Sequence, residues 1–247
     1  MQNFTDKTIW VIGATDGIGK AFVEKVDISV RTKFILSARS KDKLQNIADS
    51  LNNDSIIINF DVADYENFKE KSSIALEHKP DYIIYLPAFY EPSLISEITT
   101  ENLHKTVQTN LTAVFYLFEF VLPFVKDHPT TQLAITASVA GYIGLPRSQP
   151  YAATKAGVIN LVESAKAENP KLDIRLINPS FVKTKLTEKN NFKMPAILEP
   201  KDAADAIIKG LNSSSFEIHF AKKFTCTLKF LASLPYKLYF MIAKKMM

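Results

Sequence analysis

Short apolar runs alternate with amphipathic stretches from the N-terminus to about residue 220. Residues 8–12, 33–38, 55–60, 81–86, 132–137 and 172–177 are apolar runs of strand length, and 217–220 is a last one. Between them, 17–26, 41–51, 65–77, 101–126, 151–169 and 200–211 carry helical spacing; in 41–51, Leu44, Ile47, Ala48 and Leu51 share one face. Strands buried on both faces read as continuous apolar runs rather than alternating ones. This alternation therefore predicts an α/β fold with a central parallel sheet covered by helices on both sides. No linker, composition break or internal repeat divides residues 1–221, which are expected to form one domain.

Length and composition narrow the picture. The 247 residues suit one α/β domain with a sizeable core. A single cysteine, Cys226, cannot form an internal disulfide, which favours a reducing, cytoplasmic location. His78, His104, His128 and His219 are scattered without metal-ligand spacing, so no metal site is expected. Residues 1–7 are polar, and the apolar run 9–12 is too short for an export signal. No stretch is read as approaching the ~20 apolar residues of a membrane span. Thirty basic residues stand against 26 acidic ones. Six of the lysines fall in 222–247, which hold no acid, so the rest of the chain is slightly acidic and no nucleic-acid footprint is expected.

Three of the seven glycines fall in one turn, Gly13-Ala14-Thr15-Asp16-Gly17-Ile18-Gly19, between the first strand and the first helix. Such a turn needs positive φ or no side chain, and the helix N-terminus behind it attracts phosphate. The spacing G-x-x-x-G-x-G differs from the commoner G-x-G-x-x-G, but the position suits a dinucleotide in a Rossmann-type, doubly wound domain. About 20 residues on, the second strand ends in Ser37-Ala38-Arg39-Ser40 rather than in an acid. A carboxylate would repel a 2′-phosphate, whereas Arg39 would pair with it, which favours NADP over NAD. Asp61, at the end of the third strand, reads either as an acceptor from the adenine amino group or as a loop cap.

Tyr-x-x-x-Lys occurs twice. Tyr65/Lys69 lies on an early helix and reads as a solvated face. Tyr151/Lys155 has a different context. Four-residue helical spacing puts both side chains on one face, and Ser138 lies thirteen residues earlier at the C-terminal end of a strand. That is the sheet edge where ligands bind. Gly141 and Gly144 let the intervening loop bend back. A phenol with a pKa of about 10 is a poor base at neutral pH. A neighbouring ammonium brings it toward working range, and a serine hydroxyl can hold the substrate oxygen.

The glycine turn, Asp61, Asn110 in Thr109-Asn110-Leu111-Thr112, Ser138 in Thr136-Ala137-Ser138, and Tyr151-x-x-x-Lys155 occur in order and spacing. Together they resemble the short-chain dehydrogenase/reductase family over roughly residues 5–220. The resemblance implies hydride transfer between NADP(H) and a carbonyl or secondary alcohol. It makes Tyr151 the acid/base, with Lys155 holding the nicotinamide ribose and lowering the tyrosine pKa. Ser138 would orient the carbonyl, and Asn110 would hold a water of the proton relay. Cofactor contacts would come from Gly13, Thr15, Asp16, Gly17, Ile18, Gly19, Arg39, Asp61, Val62, Ala88, Pro179, Val182 and Thr184, besides Tyr151 and Lys155. A homodimer or homotetramer is implied, paired through helices 101–126 and 151–169. Three positions depart from the family pattern: Leu86-Pro87-Ala88-Phe89 replaces Asn-Asn-Ala-Gly, Ser180 replaces glycine after Pro179, and Ile12 replaces a threonine.

The pocket wall is expected from 140–150 and 183–199, where Tyr142, Ile143, Leu145, Phe192 and Met194 suggest an apolar lining. In the tail, Phe224, Leu228, Leu231 and Leu234, then Leu238, Met241 and Ile242, follow helical spacing on either side of Pro235. Flanking lysines fit an amphipathic helix at a membrane surface. The same pattern fits a C-terminal helix packed on the body or on a second subunit. Other functions compatible with the pattern are a non-catalytic dinucleotide-binding regulator, a membrane-surface scaffold and a sugar-nucleotide epimerase. The last usually needs a longer C-terminal substrate domain.

Overall fold

The computed structural model describes residues 4–192 and 194–244. Residues 1–3 of the polar N-terminus, Lys193 in the pocket loop and Lys245 among the tail lysines lie outside them. Seven strands form one all-parallel sheet in the order β3-β2-β1-β4-β5-β6-β7. They are β1 (Thr8–Ile12), β2 (Lys33–Ser37), β3 (Asp54–Ile57), β4 (Tyr82–Tyr85), β5 (Gln132–Thr136), β6 (Asp173–Asn178) and β7 (Glu217–His219). The expected doubly wound fold is therefore present. The order reverses between β1 and β4, and there the chain leaves both strands on opposite sides and opens a crevice at their C-terminal ends.

Strand alternation splits the core. Ile9 and Val11 point to one face with α1 (Gly17–Asp27), α2 (Lys41–Ala48) and α7 (Pro200–Leu211). Trp10 and Ile12 point to the other, under α3 (Tyr65–Glu77), α5 (Ala113–Asp127) and α6 (Tyr151–Glu168). Local caps set where helices begin: Ser40, Asp64 and Thr99 accept the amides of Lys43, Asn67 and Asn102, and Pro200 opens α7.

The long helix expected over 101–126 is interrupted. It runs as α4 (Thr100–Val107), one π turn (Gln108–Thr112) and α5. Taken together, Thr100–Asp127 is long and apolar enough to cross a membrane, contrary to the expectation that no such stretch exists. Its Val114, Leu117, Val121 and Val125 are buried against the sheet, as in the core helix of a doubly wound domain. Tyr65 also departs from expectation. Its ring packs edge-on against Tyr116 and its hydroxyl donates to Glu119 (2.8 Å), so it is part of an aromatic cluster rather than a solvated face.

Two helices follow β7: α8 (Lys222–Ala232) and α9 (Tyr236–Ala243). Leu228 and Leu231 of α8 are buried with Val139, and Tyr142, Ile143, Leu145, Phe224 and Leu234 pack around them. Lys229 pairs with Glu217, which also receives the Tyr142 hydroxyl and the Asn178 amide. The Tyr239 hydroxyl of α9 donates to the Gly144 carbonyl.

Candidate active site

The crevice between β1 and β4 is bounded by the glycine turn. Gly13 has φ +89° and Gly17 φ +54°, the left-handed region that favours glycine. A Cβ on Gly13 would lie 3.1 Å from the Pro87 nitrogen, so the turn can approach the β4 exit only without a side chain. The first turn of α1 holds no acid and has no side-chain cap, and Gly17, Ile18 and Gly19 of that turn line the crevice. Asp16, just before it, bonds Lys43 (3.0 Å) and Lys185 (3.1 Å). Burial pushes this carboxyl up, but the two lysines outweigh it and hold it below its usual range.

The floor of the crevice carries the reactive side chains. β5 delivers Ser138, whose Oγ accepts the Ala140 amide (3.1 Å) and so fixes the turn after the strand. One turn of α6 presents Tyr151 and Lys155, and the Tyr151 hydroxyl lies beside Ser138. Lys155 is 1% exposed and donates to the Thr136 carbonyl (3.1 Å). Its Nζ lies 5.7 Å from the Tyr151 ring centre.

Burial pushes Tyr151 up to about 12, which the Ser138 hydroxyl opposes and the neighbouring Tyr90 reinforces. The expected lowering by Lys155 is not seen. Burial brings Lys155 itself down from 10.5 to about 7, so near neutrality only part of its charge is there to stabilise a phenolate. The Tyr151 phenol is therefore protonated near neutrality.

Asn110 sits in the π turn, fully buried behind the crevice. Its Oδ1 accepts the Phe89 amide (2.7 Å), and its Nδ2 donates to the Phe89 carbonyl (2.8 Å) and to Thr154 (3.3 Å). This two-way clamp fixes the Leu86-Pro87-Ala88-Phe89 segment. The Phe89 ring lies under Lys105 (4.6 Å) and Lys189 (5.4 Å). The next residue, Tyr90, packs edge-on against Tyr151 (4.9 Å), and its hydroxyl donates to Asn190 (2.7 Å) in the loop that closes the far side.

Most of the residues anticipated from sequence converge here. Gly13, Asp16, Gly17, Ile18, Gly19, Ala88, Ser138, Tyr151, Lys155, Pro179, Val182 and Thr184 line one crevice. Thr15, Arg39, Asp61 and Val62 lie outside that lining. The Arg39 guanidinium is mostly exposed, 4.0 Å from Asp61. Asp61 also accepts the Ala63 amide (3.0 Å), the loop cap left open by its sequence context. Of the expected apolar wall, Leu145 and Phe192 line the crevice. Tyr142 and Ile143 pack beneath it, and the Met194 sulfur accepts from Asn190 (3.2 Å).

Tyr90, Phe181, Phe224 and Leu228 also line the crevice and were not anticipated. The i, i+4 spacing of Phe224 and Leu228 is visible in the sequence, but nothing local says which surface they meet.

The residues present fit a dinucleotide. The glycine cradle admits close backbone approach by a pyrophosphate. Ser180 Oγ and Thr136 Oγ1 are buried in the crevice lining with no hydrogen-bond partner among the described residues, so polar groups of a ligand have contacts waiting.

Comparison with known proteins agrees. The short chain dehydrogenase family model matches residues 7–195. An uncharacterized oxidoreductase of Staphylococcus aureus (strain MW2) is 29% identical over 220 residues, 87% of this chain and 95% of that protein. An alcohol dehydrogenase from the archaeon Thermococcus sibiricus, solved with 5-hydroxy-NADP, superposes with a TM-score of 0.77 at 22% identity, covering 87% of this chain and 95% of that one. A short chain dehydrogenase/reductase from Burkholderia phymatum, solved with NAD, gives 0.83 at 20% identity, covering 93% and 94%. These two share the fold. By the extent of the family match, and with the glycine turn and Ser138, Tyr151 and Lys155 meeting in one crevice, this chain belongs to the short chain dehydrogenase family.

Proposed function

We propose that this oxidoreductase is an NADP(H)-dependent carbonyl reductase, able to run in reverse on a secondary alcohol, with Tyr151 as general acid/base. The observation that carries the reading is the meeting of Ser138, Tyr151 and Lys155 on the floor of a crevice whose rim is the glycine turn. The bound cofactor supplies or accepts the hydride. Ser138 holds the carbonyl oxygen, and Tyr151, kept protonated by burial, gives that oxygen a proton. Lys155, anchored on Thr136, has further protons to offer a ribose hydroxyl. Asn110 keeps the Phe89 backbone in place and is assigned the relay water behind Lys155. In the alcohol-oxidising direction Tyr151 must first lose its proton, so that activity is expected to climb through alkaline pH while reduction does not need it.

The NADP preference rests on Arg39, since the related structures hold 5-hydroxy-NADP in one case and NAD in another. Arg39 is exposed, pairs with Asp61 only at 4.0 Å, and can turn toward a 2′-phosphate beside the start of α2, where a carboxylate would ordinarily stand. Pairing into a homodimer or homotetramer through α4–α5 and α6 is supported by Phe115, exposed on α5 beside half-buried Phe118 and Leu122. The single exposed cysteine suits a reducing, cytoplasmic setting.

Titration with NADPH and NADH tests the reading, with Trp10 as a built-in donor three residues before Gly13. NADPH is expected to bind at least tenfold tighter. Arg39→Ala should weaken NADPH by about tenfold, the worth of one exposed charged hydrogen bond, and leave NADH unchanged. Equal binding of both nucleotides by the wild type sinks the 2′-phosphate assignment.

The Tyr90–Asn190 contact yields a separate expectation. Tyr90→Phe removes a hydrogen bond worth ~1 kcal/mol between the crevice floor and its closing loop. KM for a carbonyl substrate should rise about fivefold while NADPH affinity stays constant. Steady-state kinetics beside a cofactor titration separate the two.

A further inference from the structure

The C-terminal helices present two unlike faces. One face belongs to the active-site crevice: Phe224 and Leu228 of α8 line it with Leu145, Phe181 and Phe192. α9 is tied to the same wall, because Tyr239 bonds Gly144 in the loop between Ser138 and Tyr151. Away from the crevice the two helices expose large apolar side chains, one on α8 and the rest on α9. Phe230, Tyr236, Leu238, Phe240, Met241 and Ile242 are all 40–79% exposed, and only Tyr239 and Ala243 of α9 are buried. Six exposed large apolar side chains within residues 230–242 mark a docking site rather than ordinary scatter.

Charge decides the partner. Lys222, Lys223, Lys237 and Lys244 are exposed on or next to the same two helices, and residues 222–247 contain no acid. Lys229, by contrast, is held by Glu217. A second copy of the chain docking by two-fold symmetry would set these lysines against their own equivalents, with no carboxylate in the segment to answer them. Exposed apolar side chains interleaved with lysines instead complement an anionic lipid bilayer: the apolar side chains enter the acyl boundary and the lysines meet the headgroups.

We infer that α8 and α9 dock this protein on anionic membrane surfaces, and that its substrate is an apolar carbonyl or alcohol dissolved in the bilayer. The substrate half rests on the oxidoreductase reading above. α8 then lines the crevice through Phe224 and Leu228, while Phe230 and α9 carry the lipid-facing side chains. Leu145, Phe181, Phe192, Phe224 and Leu228 give the crevice an apolar surface for a hydrocarbon substituent, with Arg147 and Lys185 elsewhere in the lining.

The test is co-sedimentation of full-length protein with vesicles of phosphatidylcholine alone or mixed with phosphatidylserine. Two variants accompany it, Phe240→Ser/Met241→Ser and Lys237→Glu/Lys244→Glu. All four positions are exposed, so the fold and NADPH affinity should not change. Wild type is expected to pellet with the mixed vesicles and far less with phosphatidylcholine, and added salt should weaken it. Each double variant should lose about tenfold or more in partitioning. The Phe240→Ser/Met241→Ser variant should lose turnover of a vesicle-dissolved long-chain ketone while keeping turnover of a short water-soluble one.

Equal pelleting of wild type and variants overturns the docking. So does a wild-type dimer that the apolar variant converts to monomer, which would give the patch to a second copy. Failure of wild type to bind vesicles while it binds NADPH and reduces the soluble ketone overturns the docking and leaves the oxidoreductase reading intact. Vesicle binding without NADPH binding overturns the substrate assignment and the oxidoreductase reading together, and leaves the docking.

Discussion

Tyr151→Phe should abolish carbonyl reduction, by about three orders of magnitude in kcat, and leave NADPH binding nearly unchanged. The substitution removes one oxygen from the crevice floor and retains the ring that packs against Tyr90. General acid catalysis contributes roughly 10²–10⁴-fold, so removal of the donor costs about that much. With Tyr151 pushed up to about 12, the wild-type phenol carries its proton at neutral pH. Ser138→Ala should be milder, about a hundredfold, because the proton donor survives while the carbonyl loses its guide. Single-turnover reduction, followed through NADPH fluorescence, measures both. Retention of more than a tenth of wild-type turnover by Tyr151→Phe would remove Tyr151 from the chemistry and assign the crevice a binding role only.

Lys155→Met should do two opposite things: destroy activity and stabilise the fold. Lys155 is among the largest fully buried side chains, with one hydrogen bond, to Thr136. Its folded-state value of about 7 lies well below the 10.5 of the exposed side chain. Between those values the unfolded chain binds more protons than the folded one, so stability rises with pH across that window. Below about pH 7 both states are protonated and the full penalty stands, on the order of a few kcal/mol. Methionine fills a similar volume without a charge to desolvate, so Lys155→Met should melt several degrees higher at pH 7. The gap should close as pH approaches 10. Thermal melts of both proteins across pH 6–10 check the sign, and a gap that widened with pH would contradict it.

The sheet was legible because its strands are short continuous apolar runs. A parallel strand is covered on both faces, and that leaves a mark no tertiary contact can erase. The glycine turn was legible for a similar local reason: positive φ at Gly13 and Gly17 admits few other residues. Ser138, Tyr151 and Lys155 could be nominated because a strand end and a four-residue helical step are local geometry.

Other features were set by three-dimensional packing. The π turn at Asn110 depends on Phe89 offering its amide and carbonyl from 21 residues away, and the helical periodicity of 101–126 is blind to that. Tyr90 became part of the site only when Asn190 came within hydrogen-bond reach from 100 residues on. The protonation balance of Tyr151 and Lys155 followed from burial, which raises an acid and lowers a base whatever their spacing. The tail gave its amphipathic spacing in sequence, since that is a property of one helix. Which face of α8 meets the crevice was decided by Val139 and Leu145, apolar surfaces some 80 residues upstream that only folding brings to it.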